Sequence, residues 1–552
     1  MRTVGALVFT LLALAAPALQ AQPEVVPAEH PVYPFLHAQR VAGRLPEYRN
    51  ETLPYDRRTV RRHLDSLSAR EADLPRAGRY WLAEFRREFF EPEDGVERVF
   101  GDGGVHVPTG RDTEKFVAYY RDADWRATLS VGGALQYRVA DDTTGYSGAA
   151  LLPTLALEGN YRNRIGWYSS TFNGIQVTGD TRVLQRDPVL NPLYYVGRQD
   201  VPPGTFDRTT ASLRVGGPVF FAGIAHERLR IGPSADRPLM LADGADYFSS
   251  VQLGFATRFL QYRFVHGALG ERSRDIPGDS LEVLVAPERY IALHRLEANL
   301  SRRVSLGFSE AVVYGLRGPE LAYLNPLFPI KPAEHTLWDR DNALFALDAV
   351  VRPVDGLEAY GTFLADDLDF SRLGRQSFNN KWAAQAGLLV VADRIAPGAE
   401  LWTEYTRIGP FVYTHRFQLD GAFYNSYIHN GFGLGHPLGP NADQIAAGVR
   451  LWLPFRAHLA VSGRYARRAE NYLDENGAFV NVGGDVRDGS QPGFDVFENV
   501  FLSGDRYEGV GARLEFQWEP VREAGVRFYG DVQTWDRAPT QTFVRVEAYV
   551  NL

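Results

Sequence analysis

From Trp125 to Val139 the chain alternates with a period of two. Trp125, Ala127, Leu129, Val131, Gly133, Leu135, Tyr137 and Val139 fall on one face, and Arg126, Thr128, Ser130, Gly132, Ala134, Gln136 and Arg138 on the other. An apolar face with aromatic ends opposite a small or charged face is the pattern of a strand between lipid and water. It returns at Ile445–Leu453, Val510–Glu519 and Val544–Leu552. Tight links at Arg162–Arg164, Gly216–Pro218, Thr257–Arg258, Arg302–Arg303, Pro353–Gly356, Pro454–Arg456 and Pro520–Ala524, with a longer one near Asp393–Gly398, alternate with long segments rich in Gly, Pro, Asp and Asn. Short turns at one end and long loops at the other predict an all-β membrane protein, a transmembrane barrel of roughly eighteen antiparallel strands. Lipid cannot satisfy a free backbone N–H or C=O, so such a sheet must close on itself. A soluble propeller or sandwich would have shorter strands and no continuous apolar face opposite repeating Arg and Glu.

Ahead of the strands the period is helical. Pro34 to Ala42 reads as a short helix stopped by Gly43. Val60, Leu64 and Leu67 recur at i, i+4 and i+7 behind a possible Asp56 cap, with Arg57, Arg58, Arg61 and Arg62 on the solvated face. Pro75 opens a helix whose stripe is Trp81, Phe85 and Phe89, and Gly101–Gly110 reads as a linker. The apolar run Ala6–Leu19, with Ala21 before Gln22, predicts a cleaved secretory leader. The expected division is a leader over 1–21, a small periplasmic helical region and linker over 22–110, and an outer-membrane barrel over 111–552.

Composition narrows the chemistry. With 59 Lys+Arg against 67 Asp+Glu the formal charge is −8, which argues against a nucleic-acid partner. Cysteine is absent, so disulfides, thiol nucleophiles and Cys-ligated metals are excluded. Only Lys115, Lys331 and Lys381 offer an amine. No G-x-S-x-G nucleophile elbow occurs, and no enzyme is expected. The chain ends on Leu552, where many outer-membrane barrels carry an aromatic residue.

Three groups of segments resemble the Wzi capsule-assembly family, in the divergent form found in Bacteroidetes-like bacteria. They are Asn342-Ala343-Leu344 through Leu347-Asp348 with Asn380-Lys381-Trp382-Ala383; Glu404 to Phe411 followed by Tyr413-Thr414-His415; and Gly435-His436-Pro437-Leu438-Gly439-Pro440-Asn441. The resemblance covers nearly everything after the leader. It implies an eighteen-stranded outer-membrane barrel behind a periplasmic helical bundle, and a lectin-like, non-enzymatic role in attaching capsular or surface polysaccharide. Related barrels in gliding bacteria share such segments, so a platform for motility or adhesion machinery is one alternative and a channel another. Partners so implied are the polysaccharide, outer-membrane lipid and the barrel-assembly machinery; no cofactor is implied.

The richest long segment is Pro410–Asn441. Its Phe411, Tyr413, His415, Tyr424, Tyr427, His429 and His436 form the candidate glycan site, because aromatic planes beside amides suit the apolar faces and hydroxyls of sugars. The same rings would also suit a plug folded into the mouth. The three histidines match no metal-ligand spacing, and Gly431–Gly435 reads as turn chemistry. Asp339-Arg340-Asp341 and Asp366-Asp367 read as solvated loop charge. On the water-facing side of the strands, Arg126, Arg138, Arg450, Arg513, Glu515, Arg527, Asp531, Arg545 and Glu547 are expected to meet in a lumen lattice of ion pairs, the alternative being an arginine-lined path for anions.

Overall fold

The computed structural model describes residues 23–89, 96–100, 105–108, 117–122, 124–141, 145–180, 183, 195–196, 204–217, 219–242, 246–270, 288–369, 371, 377, 379–393, 395–416, 424–489, 500–521 and 524–551. The expected leader lies outside them. Among the described residues eighteen strands close a barrel. They are β1 (Trp125–Asp141), β2 (Tyr146–Tyr161), β3 (Ile165–Gly179), β4 (Gly204–Gly216), β5 (Phe220–Glu227), β6 (Phe248–Ala256), β7 (Leu260–Leu269), β8 (Arg289–Asn299) and β9 (Val304–Gly315). The second half comprises β10 (Asn342–Val354), β11 (Leu357–Asp367), β12 (Lys381–Val391), β13 (Ala399–Ile408), β14 (Ala442–Leu453), β15 (Ala457–Glu470), β16 (Asp505–Val521), β17 (Ala524–Trp535) and β18 (Ala538–Asn551).

Each strand pairs antiparallel with the next, and β18 returns to β1 from Thr542↔Asp141 to Asn551↔Gly132. Leu135, Tyr137 and Val139 point outward, while Arg138 between them is fully buried, as the alternation requires. Two short links have both central residues in the left-handed region, Arg162–Asn163 and Phe455–Arg456. That is the hairpin turn whose twist matches the strands.

The seam explains a segment the sequence pattern missed. Where β18 stops, the first residues of β1 are left with a free edge. Ala118–Arg121 pairs there with Leu129–Arg126, Val105–Pro108 pairs with the far side of that strand, and Val96–Phe100 pairs with Val105–Pro108. An uncovered edge invites pairing with another chain. The expected linker therefore contains a strand, whose four residues are too few to show a period; 101–104 and 109–110 lie outside the described residues.

Among the described residues three α-helices precede the barrel: α1 (Val32–Val41), α2 (Arg57–Ser68) and α3 (Arg76–Phe89). Asp56 caps α2, accepting from the Thr59 N–H at 2.9 Å, and the Val60/Leu64/Leu67 and Trp81/Phe85/Phe89 stripes are buried. One expectation is corrected. Arg57 is not on a solvated face; it pairs with Glu158 at 3.0 Å and covers the Phe89 ring. Arg57 opens the first turn of α2, where the helix meets the barrel wall.

The helices fill the short-turn mouth. Their apolar core closes on Trp452, whose ring lies 5.7 Å from Phe35 and 5.0 Å from Trp81. The Gly356 N–H donates to Val41 O at 2.7 Å, and Trp81 Nε1 donates to Leu453 O at 2.8 Å. Deeper in the lumen, fully buried Arg40 pairs with Glu51 at 2.7 Å and Glu358 at 3.4 Å. Thr52–Leu53 forms a small ladder with Arg230–Ile231. A fourth helix, α4 (Ile330–Thr336), lies outside the wall. Tyr323, Ile330 and Ala333 pack over Ala292, Val312 and Tyr314 on the outward faces of β8 and β9.

Candidate functional site

The long-loop mouth has a floor made of chain. After β5 the segment from Leu229 to Leu241 turns inward, and Leu239, Met240 and Leu241 pack on inward Val265, Leu293, Val313, Leu364 and Ile408. Tyr413, Tyr427 and Leu434 join the same cluster. Tyr413 OH donates to Leu239 O and Tyr427 OH to Met240 O, each at 2.7 Å, with the two rings stacked at 5.6 Å. Arg289, an inward residue of β8, holds the loop backbone by donating to the carbonyls of Tyr424 (2.5 Å), Ser426 (2.7 Å) and Ile428 (3.2 Å). Asn430 and Gly431, both at positive φ, turn the hairpin between Ile428–His429 and Phe432–Gly433, which is the turn chemistry read from the glycines.

This decides where the candidate glycan residues lie. Phe411, Tyr413, Tyr427, His429 and His436 are buried, and only His415 and Tyr424 keep partial exposure. Five of the seven rings thus pack the plug and offer no face to a sugar. Aromatic richness does not distinguish a displayed loop from one that fills a wide lumen, and here the filling role takes most of the rings. Burial pushes His415 down to about 3 and His436 down to about 4, so both stay neutral.

His436 approaches Asp236 and Glu404 closely enough to suggest a metal, their ligand atoms lying within 4.8 Å. The donor set does not fit. His436 Nδ1 accepts from the Leu438 N–H at 3.1 Å, which leaves the proton of the neutral ring on the nitrogen a metal would need. Glu404 Oε2 already accepts from Tyr360 OH (2.6 Å), Ser234 Oγ (2.8 Å) and Ala235 N (3.1 Å).

Two hollows open beside the plug. One, of about 70 Å³, gathers Lys331, Asp341, Asp366, Asp367, Lys381 and His415. Two of the three lysines meet here: Lys381 pairs with Asp367 at 3.0 Å and Lys331 with Glu334 at 2.5 Å. Asp341, bound by Arg317 at 2.5 Å, and Asp366, accepting from the Tyr413 N–H at 2.6 Å, are buried anchors rather than solvated charge. At a water's share of ~30 Å³ this hollow holds a couple of waters, not a sugar ring. It is a junction between loops, and it joins Asn342, Lys381 and His415 from separate motif segments. The other hollow is a cleft of about 270 Å³ between the 424–441 and 471–489 loops, lined by Phe432, Pro437, Pro440, Arg468, Asp485 and Arg487. Phe432 is partly exposed, and Arg487 grips Asp485 at 2.7 Å. No spacing rule pointed to this cleft, because its two walls lie on loops separated by a hairpin.

The lumen charges pair across and along strands and with the N-terminal segment. Arg126 meets Glu24 at 3.0 Å, Arg464 and Arg513 share Asp531 at 2.7 and 3.1 Å, and Arg527 meets Glu547 at 2.6 Å. Arg138 donates to Gln136, which in turn donates to Glu547. Arg450 reaches Glu400 at 3.8 Å and Ala235 O, and Arg545 lies over the Tyr529 ring at 5.5 Å. Glu515 sits opposite Tyr529 in the β16–β17 ladder.

A closed eighteen-stranded barrel with an outward apolar belt, plugged from both ends by its own chain, is a membrane-spanning barrel of the outer-membrane type. Residues 110–524 match the family described as capsule assembly protein Wzi, and the chain belongs to that family. Among solved structures it is similar to Wzi of Escherichia coli, described as an outer-membrane protein involved in group 1 capsule assembly and a carbohydrate-binding β-barrel. The identity is 12%, the match covers 96% of this chain and 99% of that one, and the TM-score is 0.58. OccAB4 of Acinetobacter baumannii (10% identity, 77% of this chain and 98% of that one, TM-score 0.44) and OccK1 of Pseudomonas aeruginosa (10%, 77% and 98%, 0.46) resemble it more distantly. No curated protein matches the sequence.

Proposed function

We propose that this chain is a non-enzymatic outer-membrane barrel that holds exported capsular or surface polysaccharide at the cell surface. On this reading a leader over residues 1–21 directs export, and the barrel-assembly machinery inserts the strands. The short-turn mouth with its helices faces the periplasm, and the outward belt meets lipid. The glycan seat is the cleft of about 270 Å³ at the long-loop mouth, and that cleft is the observation that carries the proposal. It offers an aromatic face (Phe432) beside two guanidiniums and a carboxylate, the combination that orients a sugar through few polar groups. His415 and Tyr424, the two candidate rings with exposed surface, flank the plug that forms the floor. Family membership and the carbohydrate-binding description of the E. coli barrel support the same reading.

The test is surface retention of the polysaccharide in cells carrying Phe432→Ala with Arg487→Ala, alongside binding of the purified polysaccharide to the purified variant. Release of glycan into the medium with a normally folded barrel is expected. Wild-type retention and binding in the double variant would remove the cleft from the proposal.

A further inference from the structure

At the opposite mouth lies a larger hollow, of about 750 Å³, between α2 and the short-turn ends of β5 to β8. Its volume falls in the range of small-molecule sites, roughly 300–1,000 Å³. Nine arginines line it against two acids, Glu47 and Asp56, and Asp56 is occupied as the α2 cap. Some of these arginines have carboxylates of their own: Arg44 pairs with Asp393 at 2.5 Å, and Arg214 with Glu227 at 3.2 Å. Among the described residues, Arg49, Arg58, Arg62, Arg258, Arg263 and Arg302 pair with none.

Two of those six are built into the wall. Arg263 is 3% exposed; one nitrogen donates to Pro54 O at 2.9 Å, while Nε and Nη1 have no partner. Arg49 is 8% exposed and its Nε is likewise unpartnered. A buried guanidinium normally finds an anion, because removing it from water is otherwise unfavourable. Here Arg263 instead lies 5.3 Å from the Phe221 ring, which Arg214 also approaches, at 4.7 Å. Burial, with Arg40 nearby, pulls Arg49 below its ordinary value, a shift that a bound anion would reverse. Phe221, on the inward face of β5, also lines the hollow and supplies apolar surface that a bare ion would not need.

We propose that this hollow is a second binding site, for an acidic saccharide segment whose carboxylate or phosphate groups meet the unpaired arginines and whose sugar ring meets Phe221. The saccharide part rests on the reading above; the anion site does not. With the short-turn mouth in the periplasm, the hollow would meet acidic polymer before it crosses the membrane.

The experiment titrates the purified full-length barrel in detergent micelles with trigalacturonate, maltotriose and inorganic phosphate, at low and high salt. Wild type and Arg58→Gln/Arg62→Gln are compared, the latter changing side chains at the open side of the hollow. Heat-modifiable gel mobility checks that the barrel is folded. Trigalacturonate should bind at low salt, weaken at least tenfold in the double variant and weaken again in high salt, with maltotriose silent. Equal trigalacturonate affinity in the variant, or maltotriose binding as tightly, would overturn the site. Phosphate competing at the same affinity as trigalacturonate would overturn the saccharide part and leave an anion site. Phe432→Ala/Arg487→Ala should leave this titration unchanged, so failure at one mouth is separable from failure at the other.

Discussion

The two mouths are closed by opposite means. At the short-turn mouth a helical unit fills the lumen with an apolar core that a single tryptophan of the wall completes. Among the described residues the long-loop mouth has no such unit. Loops that begin and end on the wall fold inward, and wall arginine and loop tyrosines hold loop backbone carbonyls. Both bury apolar side chains; the first is distinguished by packing on one wall tryptophan, the second by side chains that grip loop backbone. Each should fail under a different kind of substitution.

Trp452→Ala should have the largest effect. Removing a buried aromatic costs ~3–5 kcal/mol where the site cannot collapse, and Trp452 is the wall's contribution to the helical core, also bonding Glu400 through Nε1 at 2.6 Å. Residues 23–89 should become sensitive to protease while the strands stay protected and loop 424–441 is unaffected. Protection of both regions at wild-type levels would refute a plug centred on this residue.

Next in size is a pH effect outside the wall. Burial raises Glu334 of α4 to about 7, against the pull of Lys331. The docked helix therefore holds a proton that the detached loop releases from about pH 4.5. Docking is strongest below pH 4.5 and weakens as pH rises to about 7, by at most ~1.4 kcal/mol per unit. Amide exchange over 330–337 should quicken across that window, and Glu334→Gln should flatten the response. A profile rising in the other direction would exclude Glu334 as its source.

Arg289→Met keeps the length of the side chain and removes the loop's donors. Hydrogen bonds from a charged group are worth ~1.5–3 kcal/mol together with the exposure of the carbonyls left behind. Exchange over 424–434 should rise, with residues 23–89 unchanged. Spread of the effect to the helices would mean that the two closures are coupled through the Thr52–Ile231 ladder.

The sequence made the barrel legible because its signal repeats: the same alternation recurs in β1, β14, β16 and β18, and Leu135, Tyr137 and Val139 face outward where the pattern put them. The helices were legible for the same reason, down to the Asp56 cap. The site was less so. Trp452 looked like one more residue of a water-facing row, because alternation states which side a residue faces and not what meets it there. Arg289 carried no periodic signal beyond its own strand. The candidate rings share one loop, but whether such a loop turns in or out is set by residues far along the chain, here Leu239 and Met240.

The smallest effect tests how tightly the helical unit meets the wall. Gly43 ends α1 at φ +76°, and a Cβ there would lie 2.5 Å from Asp355 Cγ in the β10–β11 turn. Two penalties therefore oppose Gly43→Ala: left-handed strain, ~1–2 kcal/mol for a residue with a side chain, and the clash. Asp355 is exposed at 72% of its side chain and free to swing, although it lies 3.5 Å from Arg303. The clash should relax and the strain remain, so Gly43→Ala should lower the protection of 23–89 by about 1 kcal/mol. Asparagine is larger but tolerates this backbone region. If strain dominates, Gly43→Asn should be milder than Gly43→Ala; if the close approach dominates, it should be worse. The order of the two variants in limited proteolysis decides between them.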